Sequence, residues 1–204
     1  MLTAFTAGLL LITISELGDK TFCIAMLLAM KHSRRFVFAG VVAALAAMTV
    51  LSVAMGQVIS IFPKTYIWYA EVALFIGFGL KLLYDAYKMP SCPACDDINE
   101  AKEALEQANL PTQTGANFAV MGQAFLLTFV AEWGDRTQFA TITLAASNNP
   151  VGVTIGAILG HTICAAIAVL GGRLVAGRIS ERTVTFLGGI LFIIFGIVAA
   201  VQGK

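Results

Sequence analysis

The sequence predicts an all-α membrane protein, six transmembrane helices laid out as a 3+3 inverted repeat, and three observations carry that expectation. The first is composition: 58% of the 204 residues are hydrophobic and only 12% are charged, with a mean hydropathy of +0.85. Soluble proteins use about a quarter charged residues, and a core of this size cannot hide so much apolar surface, so the solvent is lipid. The second is run length, since the apolar stretches match the roughly 20 residues a helix needs to cross a bilayer. Only helices or closed barrels satisfy the backbone in lipid, and runs this long are not alternating barrel strands. The third is a repeat, in which the second half restates the first at an offset of 116. The formal net charge of +1 excludes the basic balance of a nucleic-acid-binding protein.

Taken in order, span one covers residues 2–30. It opens without a basic n-region and continues past a short h-region, so it is expected to stay in the mature protein. Spans two and three cover 36–62 and 66–88 and complete a first unit, 1–88. Residues 89–116 are the polar connection, opened by Pro90 and Pro93 and closed by Pro111 and Gly115. Inside it, Asp96 to Gln107 place Ile98, Ala101 and Leu105 on one stripe behind an Asp cap, the pattern of a short surface helix. Spans four to six, at 117–146, 150–172 and 183–203, form the second unit, 117–204.

Loop charge orients the chain. Lys31, Arg34, Arg35, Lys88, Lys102, Arg173, Arg178 and Arg182 fall on one side, against Lys64 and Lys204 on the other. By the positive-inside rule both termini are outside and the acidic connection is cytoplasmic. Tyr66, Trp68 and Tyr69 then begin span three at the outer interface, where an aromatic belt belongs.

The offset superposes Glu16-Leu17-Gly18-Asp19-Lys20-Thr21 on Glu132-Trp133-Gly134-Asp135-Arg136-Thr137, and Gly40 on Gly156. Each unit crosses three times, an odd number, so the second copy starts from the opposite side and runs inverted. Inverted repeats with polar groups in corresponding helices are the pattern of secondary transporters. At 100° per residue Glu16, Asp19 and Lys20 share one face of span one, and Glu132, Asp135 and Arg136 likewise in span four. Charges at the bilayer centre cost roughly 3 kcal/mol each, so six are a burden near 18 kcal/mol unless they meet each other or water. Four carboxylates against two cations leave −2, which one divalent cation neutralises. Two protons do the same, so such a site supports cation–proton exchange. Oxygen donors favour hard Mg2+, Ca2+ or Mn2+, and the motif has no His or Cys to recruit zinc or copper. Gly18 and Gly134 allow close helix approach or a local break exposing carbonyls.

Two copies of E-x-G-D-[KR]-[TS] in a six-span chain with an acidic central loop resemble the family of Golgi, thylakoid and bacterial manganese and calcium transporters. The resemblance covers nearly all 204 residues. It implies Mn2+ or Ca2+ as substrate, protons as coupling ion, Glu16, Asp19, Glu132 and Asp135 as metal ligands, and no prosthetic group. It also implies an integral protein of a bacterial inner membrane, with export from the cytoplasm.

Other polar residues complete the expectation. Thr21, Thr137, Gln123 and Gln138 are further oxygen ligands or hydrogen-bond partners, Lys20 and Arg136 are counter-charges, and mid-span His161 is a proton relay or a packed histidine. Glu71 reads as a solvated interfacial acid. Two other function classes fit less well. Cys92-Pro93-Ala94-Cys95 has the form of a redox dithiol, as in a membrane thiol-disulfide carrier, yet the cysteines do not follow the repeat. A lipid-phosphate phosphatase would need Arg, Ser and His converging with the acids, and the sequence shows no such cluster.

Overall fold

The computed structural model describes residues 1–88, 101–103, 105, 117–175 and 181–202. Their fold is all-helical, with no strand among the described residues. The helices are α1 (Leu2–Glu16), α2 (Lys20–Lys31), α3 (Arg34–Ile59), α4 (Lys64–Lys88), α5 (Asn117–Ala131), α6 (Arg136–Ser147), α7 (Pro150–Val175) and α8 (Glu181–Gln202). Four of them, α3, α4, α7 and α8, are long and apolar enough to cross a membrane.

Spans one and four depart from expectation, because each is two shorter helices instead of one rod. Gly18 and Gly134 stop the first helix at φ +82, a left-handed conformation that costs an L-residue with a Cβ roughly 1–2 kcal/mol. Asp19 and Asp135 are extended and begin the next helix as N-caps. The common helical face expected for Glu16, Asp19 and Lys20 therefore does not exist. Glu16 ends α1, whereas Asp19 and Lys20 open α2.

Glycine sets the closest seams. On α7, Gly152, Gly156 and Gly160 recur every fourth residue against the α1 backbone, and a Cβ on Gly156 would strike the Phe5 carbonyl oxygen. Its counterpart Gly40 on α3 lies as tightly on the Met121 carbonyl of α5. Small residues at such crossings let backbones approach where lipid supplies no hydrophobic drive. Between α4 and α8, Gly79 receives Ile193 and Gly196 receives Ile76, beside an edge-to-face contact of Phe75 and Phe192 at 5.7 Å.

Overlaying the halves exchanges α1 with α5, α2 with α6, α3 with α7 and α4 with α8. Most seams obey the exchange: α1 on α7 is matched by α5 on α3, and α2 on α7 by α6 on α3. The α4–α8 pair does not. It leans on α6 through α4 and on α1 through α8, with no comparable seam of α8 on α2 or α4 on α5 among the described residues.

Of the surface helix expected at 96–107, only 101–103 and 105 are described. They are helical, and Ala101 and Leu105 are buried beside Val37, Ala124 and Ala168. The rest of that helix, with Cys92 and Cys95, lies outside the described residues.

Candidate functional site

The two helix breaks face each other. Glu16 closes α1 and Glu132 follows the last turn of α5, so both carboxylates leave helix C-termini, whose partial negative charge favours a cation nearby. One carboxylate oxygen each from Glu16, Glu132 and Asp135 lies within 4.8 Å of the others, and both glutamates are buried. Three anions so close, in a place water hardly reaches, repel one another strongly unless protons or a cation neutralise them.

Hydroxyl groups reach all three. Thr21 Oγ1 donates to Glu16 Oε2 at 3.2 Å, and Thr137 Oγ1 lies 3.0 Å from Asp135 Oδ2 and 3.5 Å from Glu132 Oε2. Each glutamate keeps its second oxygen, Oε1, buried without a hydrogen-bond partner. A buried carboxylate oxygen left unpaired costs free energy of roughly 1–3 kcal/mol or more, and both glutamates belong to the group that could hold a metal ion.

Asp19 stands apart from the trio. It accepts from Arg136 Nη2 at 3.2 Å, and the same guanidinium nitrogen reaches the Ser15 carbonyl at 3.4 Å. This is the one salt bridge among the described residues, and it joins the two motif copies. Lys20 makes no equivalent bridge to Asp135 there. Instead Asp135 caps its own helix, its side chain accepting from the Thr137 backbone N–H at 3.3 Å.

The remaining expected residues scatter. Gln138 Oε1 accepts from the Gly134 N–H at 2.8 Å and so ties down the second break. Gln123 is nine residues before Glu132, about 13 Å along α5. His161 is buried on α7 with Nδ1 unpartnered. Glu71 is buried, not solvated as its interfacial position suggested.

Sequence reasoning missed Ser15, whose carbonyl takes part in the Arg136 contact, and Thr128, fully buried with its hydroxyl unpartnered. Thr128 lies four residues before Glu132, on the same side of α5, and that spacing was the available signal. Ser15 has no such mark, since its position in the second copy is Ala131.

Charged groups gathered inside a bundle of apolar helices, at matching breaks in two of them, define a membrane transport protein. The chain belongs to the divalent cation/proton antiporter GDT1 family, whose model matches residues 4–90 and 120–204. The family is one of transporters, not enzymes, which removes the phosphatase reading. GDT1-like protein sll0615 of Synechocystis sp. is 59% identical over 200 residues, spanning 98% of this chain and 97% of its own. GDT1-like protein 3 of Oryza sativa subsp. indica is 42% identical over 95% of this chain and 72% of its own length. The Protein PAM71-homolog, chloroplastic, of Arabidopsis thaliana is 38% identical over 95% of this chain and 58% of its own. No solved structure matches the chain.

Proposed function

We propose that the protein exports Mn2+ or Ca2+ from the cytoplasm in exchange for protons, binding the cation between the two motifs. The observation that carries this reading is the convergence of Glu16, Glu132 and Asp135 within 4.8 Å, contributed by both halves of the chain. Oxygen donors alone suit hard cations. Thr21 and Thr137 orient the carboxylates and supply further oxygens, and Asp19 joins as fourth ligand when Arg136 releases it. Protons occupy the same carboxylates once the cation leaves, so the emptied site is not stranded with excess negative charge. His161, buried on α7, passes them on.

The architecture in this reading is six crossings, two inverted units of three, with α1–α2 and α5–α6 each forming one discontinuous crossing. Matching breaks at Gly18 and Gly134 and the exchanged seams of α1 on α7 and α5 on α3 support it. Helix ends aimed at a site shared between repeats are how such carriers hold ions. The basic-residue asymmetry supports external termini and a cytoplasmic connection, 89–116, in a bacterial plasma membrane. A lone cysteine beside Lys64 reacts with impermeant thiol reagents added to intact cells, and one beside Lys102 does not; the reverse pattern inverts the orientation.

The deciding experiment is Mn2+ or Ca2+ flux in sealed proteoliposomes, with a pH dye inside and the membrane potential clamped. Cation movement drives protons the other way. Flux without proton countermovement and without pH dependence would leave a uniporter built on the same ligands.

A further inference from the structure

Glu71 is a buried carboxylate that the motif site does not use. It sits on the inward stripe of α4, with Ile67 one turn before it and Phe75 one turn after. Ser147, the last residue of α6, interacts with it across the α4–α6 seam. Ser147 also directs its hydroxyl to the Thr143 carbonyl at 3.2 Å. A hydroxyl has one proton, and the Thr143 carbonyl takes it, so Ser147 offers Glu71 no hydrogen.

It is short of positive charge as well. The helices on which α4 forms its seams are α6 and α8. Past Arg136 and Arg182 at their starts, neither contains a Lys, Arg, His, Asp or Glu. Among the described residues Glu71 forms no salt bridge. The C-terminal end of α6, where backbone carbonyls are left over, adds partial negative charge beside the carboxylate. A carboxylate, a hydroxyl and the negative end of a helix together are the complement of a cation.

We propose that Glu71 and Ser147 form a second cation-binding station, through which the divalent cation passes between the motif carboxylates and the membrane face that bears Lys64. Glu71 lies seven residues into α4, about 10 Å from Lys64 along the helix, and Ser147 about 17 Å along α6 from Arg136. Thr137, Thr141 and Thr143 punctuate α6 between the two stations, the first two buried below 5% exposure. The station is also one-sided. In the repeat, whose offset grows by one to 117 in the last span, Glu71 corresponds to Gly188, and Ser147 corresponds to Lys31 at 116, a pair that can hold no cation, and the α4–α6 seam that buries the station has no α8–α2 equivalent among the described residues. The cation thus meets an acid on one side of the motif site only, at a seam that is closed in this conformation.

This inference rests on the transport reading above. Its test uses Mn2+ flux in proteoliposomes of sorted orientation, with Mn2+ presented to one face at a time. Losing one charged ligand of a weak site, about 1.4 kcal/mol, corresponds to roughly tenfold in affinity. E71Q is therefore expected to raise KM about tenfold for Mn2+ given at the Lys64 face, with KM at the opposite face changed less than about twofold. E71D, which keeps the charge, is expected to restore most of the difference. A purely structural role moves both faces together, so equal KM changes, or none at the Lys64 face, would overturn the proposal. Should E71Q fail to insert, S147A in the same assay is expected to show a smaller rise confined to that face, and no sided change would again overturn it. Wild-type Mn2+ flux lacking proton countermovement would strike the exchange reading alone, leaving the sided KM comparison intact.

Discussion

In the first motif Asp19 reaches across to Arg136, while in the second Asp135 turns back to cap its own helix. The two hexapeptides agree at the acids, the glycine and the threonine, and both glycines take the same φ. Even so, the second copy contributes two carboxylates to the trio and the first contributes one. The surroundings differ too, for a Cβ on Gly18 would meet Val184 of α8 at 3.9 Å and one on Gly134 would meet nothing. Equivalence in the chain is thus not equivalence in the folded site. In this conformation Asp135 joins the trio and Asp19 is held by a counter-charge.

The largest effects come from the residues that both descriptions share. Glu16→Gln and Glu132→Gln are expected to cut cation flux by at least about 100-fold, about 2.7 kcal/mol of lost stabilisation, with the protein still inserted. The aspartates then test the asymmetry by direct Mn2+ binding in detergent. Asp135→Asn is expected to weaken Kd about tenfold and Asp19→Asn less than about threefold. Equal losses would restore the symmetric picture, although both variants are expected to fail in transport, where each aspartate must serve in turn.

Arg136→Gln probes the same difference from the cationic side. It strands Asp19, whose Oδ2 already lacks a partner. Breaking one member of a buried pair costs about 3 kcal/mol or more, and the low end applies because the Arg136 side chain is 26% exposed. The melting temperature should fall, and Mn2+ should recover more of it in this variant than in the parent, since a ligand that binds only the folded state stabilises it. No extra recovery would mean that Asp19 is out of reach of the cation.

If protons and cation contend for the same oxygens, as proposed, acidification is expected to weaken Mn2+ binding. The sign follows from charge: lowering the pH adds protons to carboxylates, which must leave before metal binds. A plot of log affinity against pH is expected to rise with a slope between about one and two over the range in which the trio titrates. A flat plot would mean that the cation binds elsewhere.

The smallest effects concern the breaks. Gly18→Ala and Gly134→Ala are each expected to cost roughly 1–2 kcal/mol from the left-handed backbone alone. Gly77→Ala, where a Cβ would meet nothing within 4 Å, serves as the neutral control. An appreciably larger loss at Gly18 than at Gly134 would show that the α8 contact matters.

Much of this was legible in the sequence, and the failures have specific causes. Helices α3, α4, α7 and α8 fall where apolar run length put them, since lipid sets that length directly. The pairing of the two motifs was legible because duplication marks it. The breaks were open alternatives, because one glycine in an apolar run is compatible with both a close crossing and a φ of +82. Reading the runs as unbroken then gave a shared face that the fold does not contain. Glu71 was misplaced because the interfacial reading of Tyr66, Trp68 and Tyr69 says nothing of neighbouring helices, and only the folded chain packs α6 on α4. The unequal roles of Asp19 and Asp135 leave no trace in two matching hexapeptides.

The crossing of α1 on α7 has a consequence for synthesis. Phe5, near the start of the chain, is clasped by Gly156, about 150 residues later. At roughly 5–20 residues per second a ribosome needs about 8–30 s to make the intervening chain. For that interval the first helix, ending in Glu16, is in the bilayer or its insertion machinery without its main partner. Newborn chains stalled before Gly156 are therefore expected to be cleared by membrane proteases far faster than chains stalled just beyond α7.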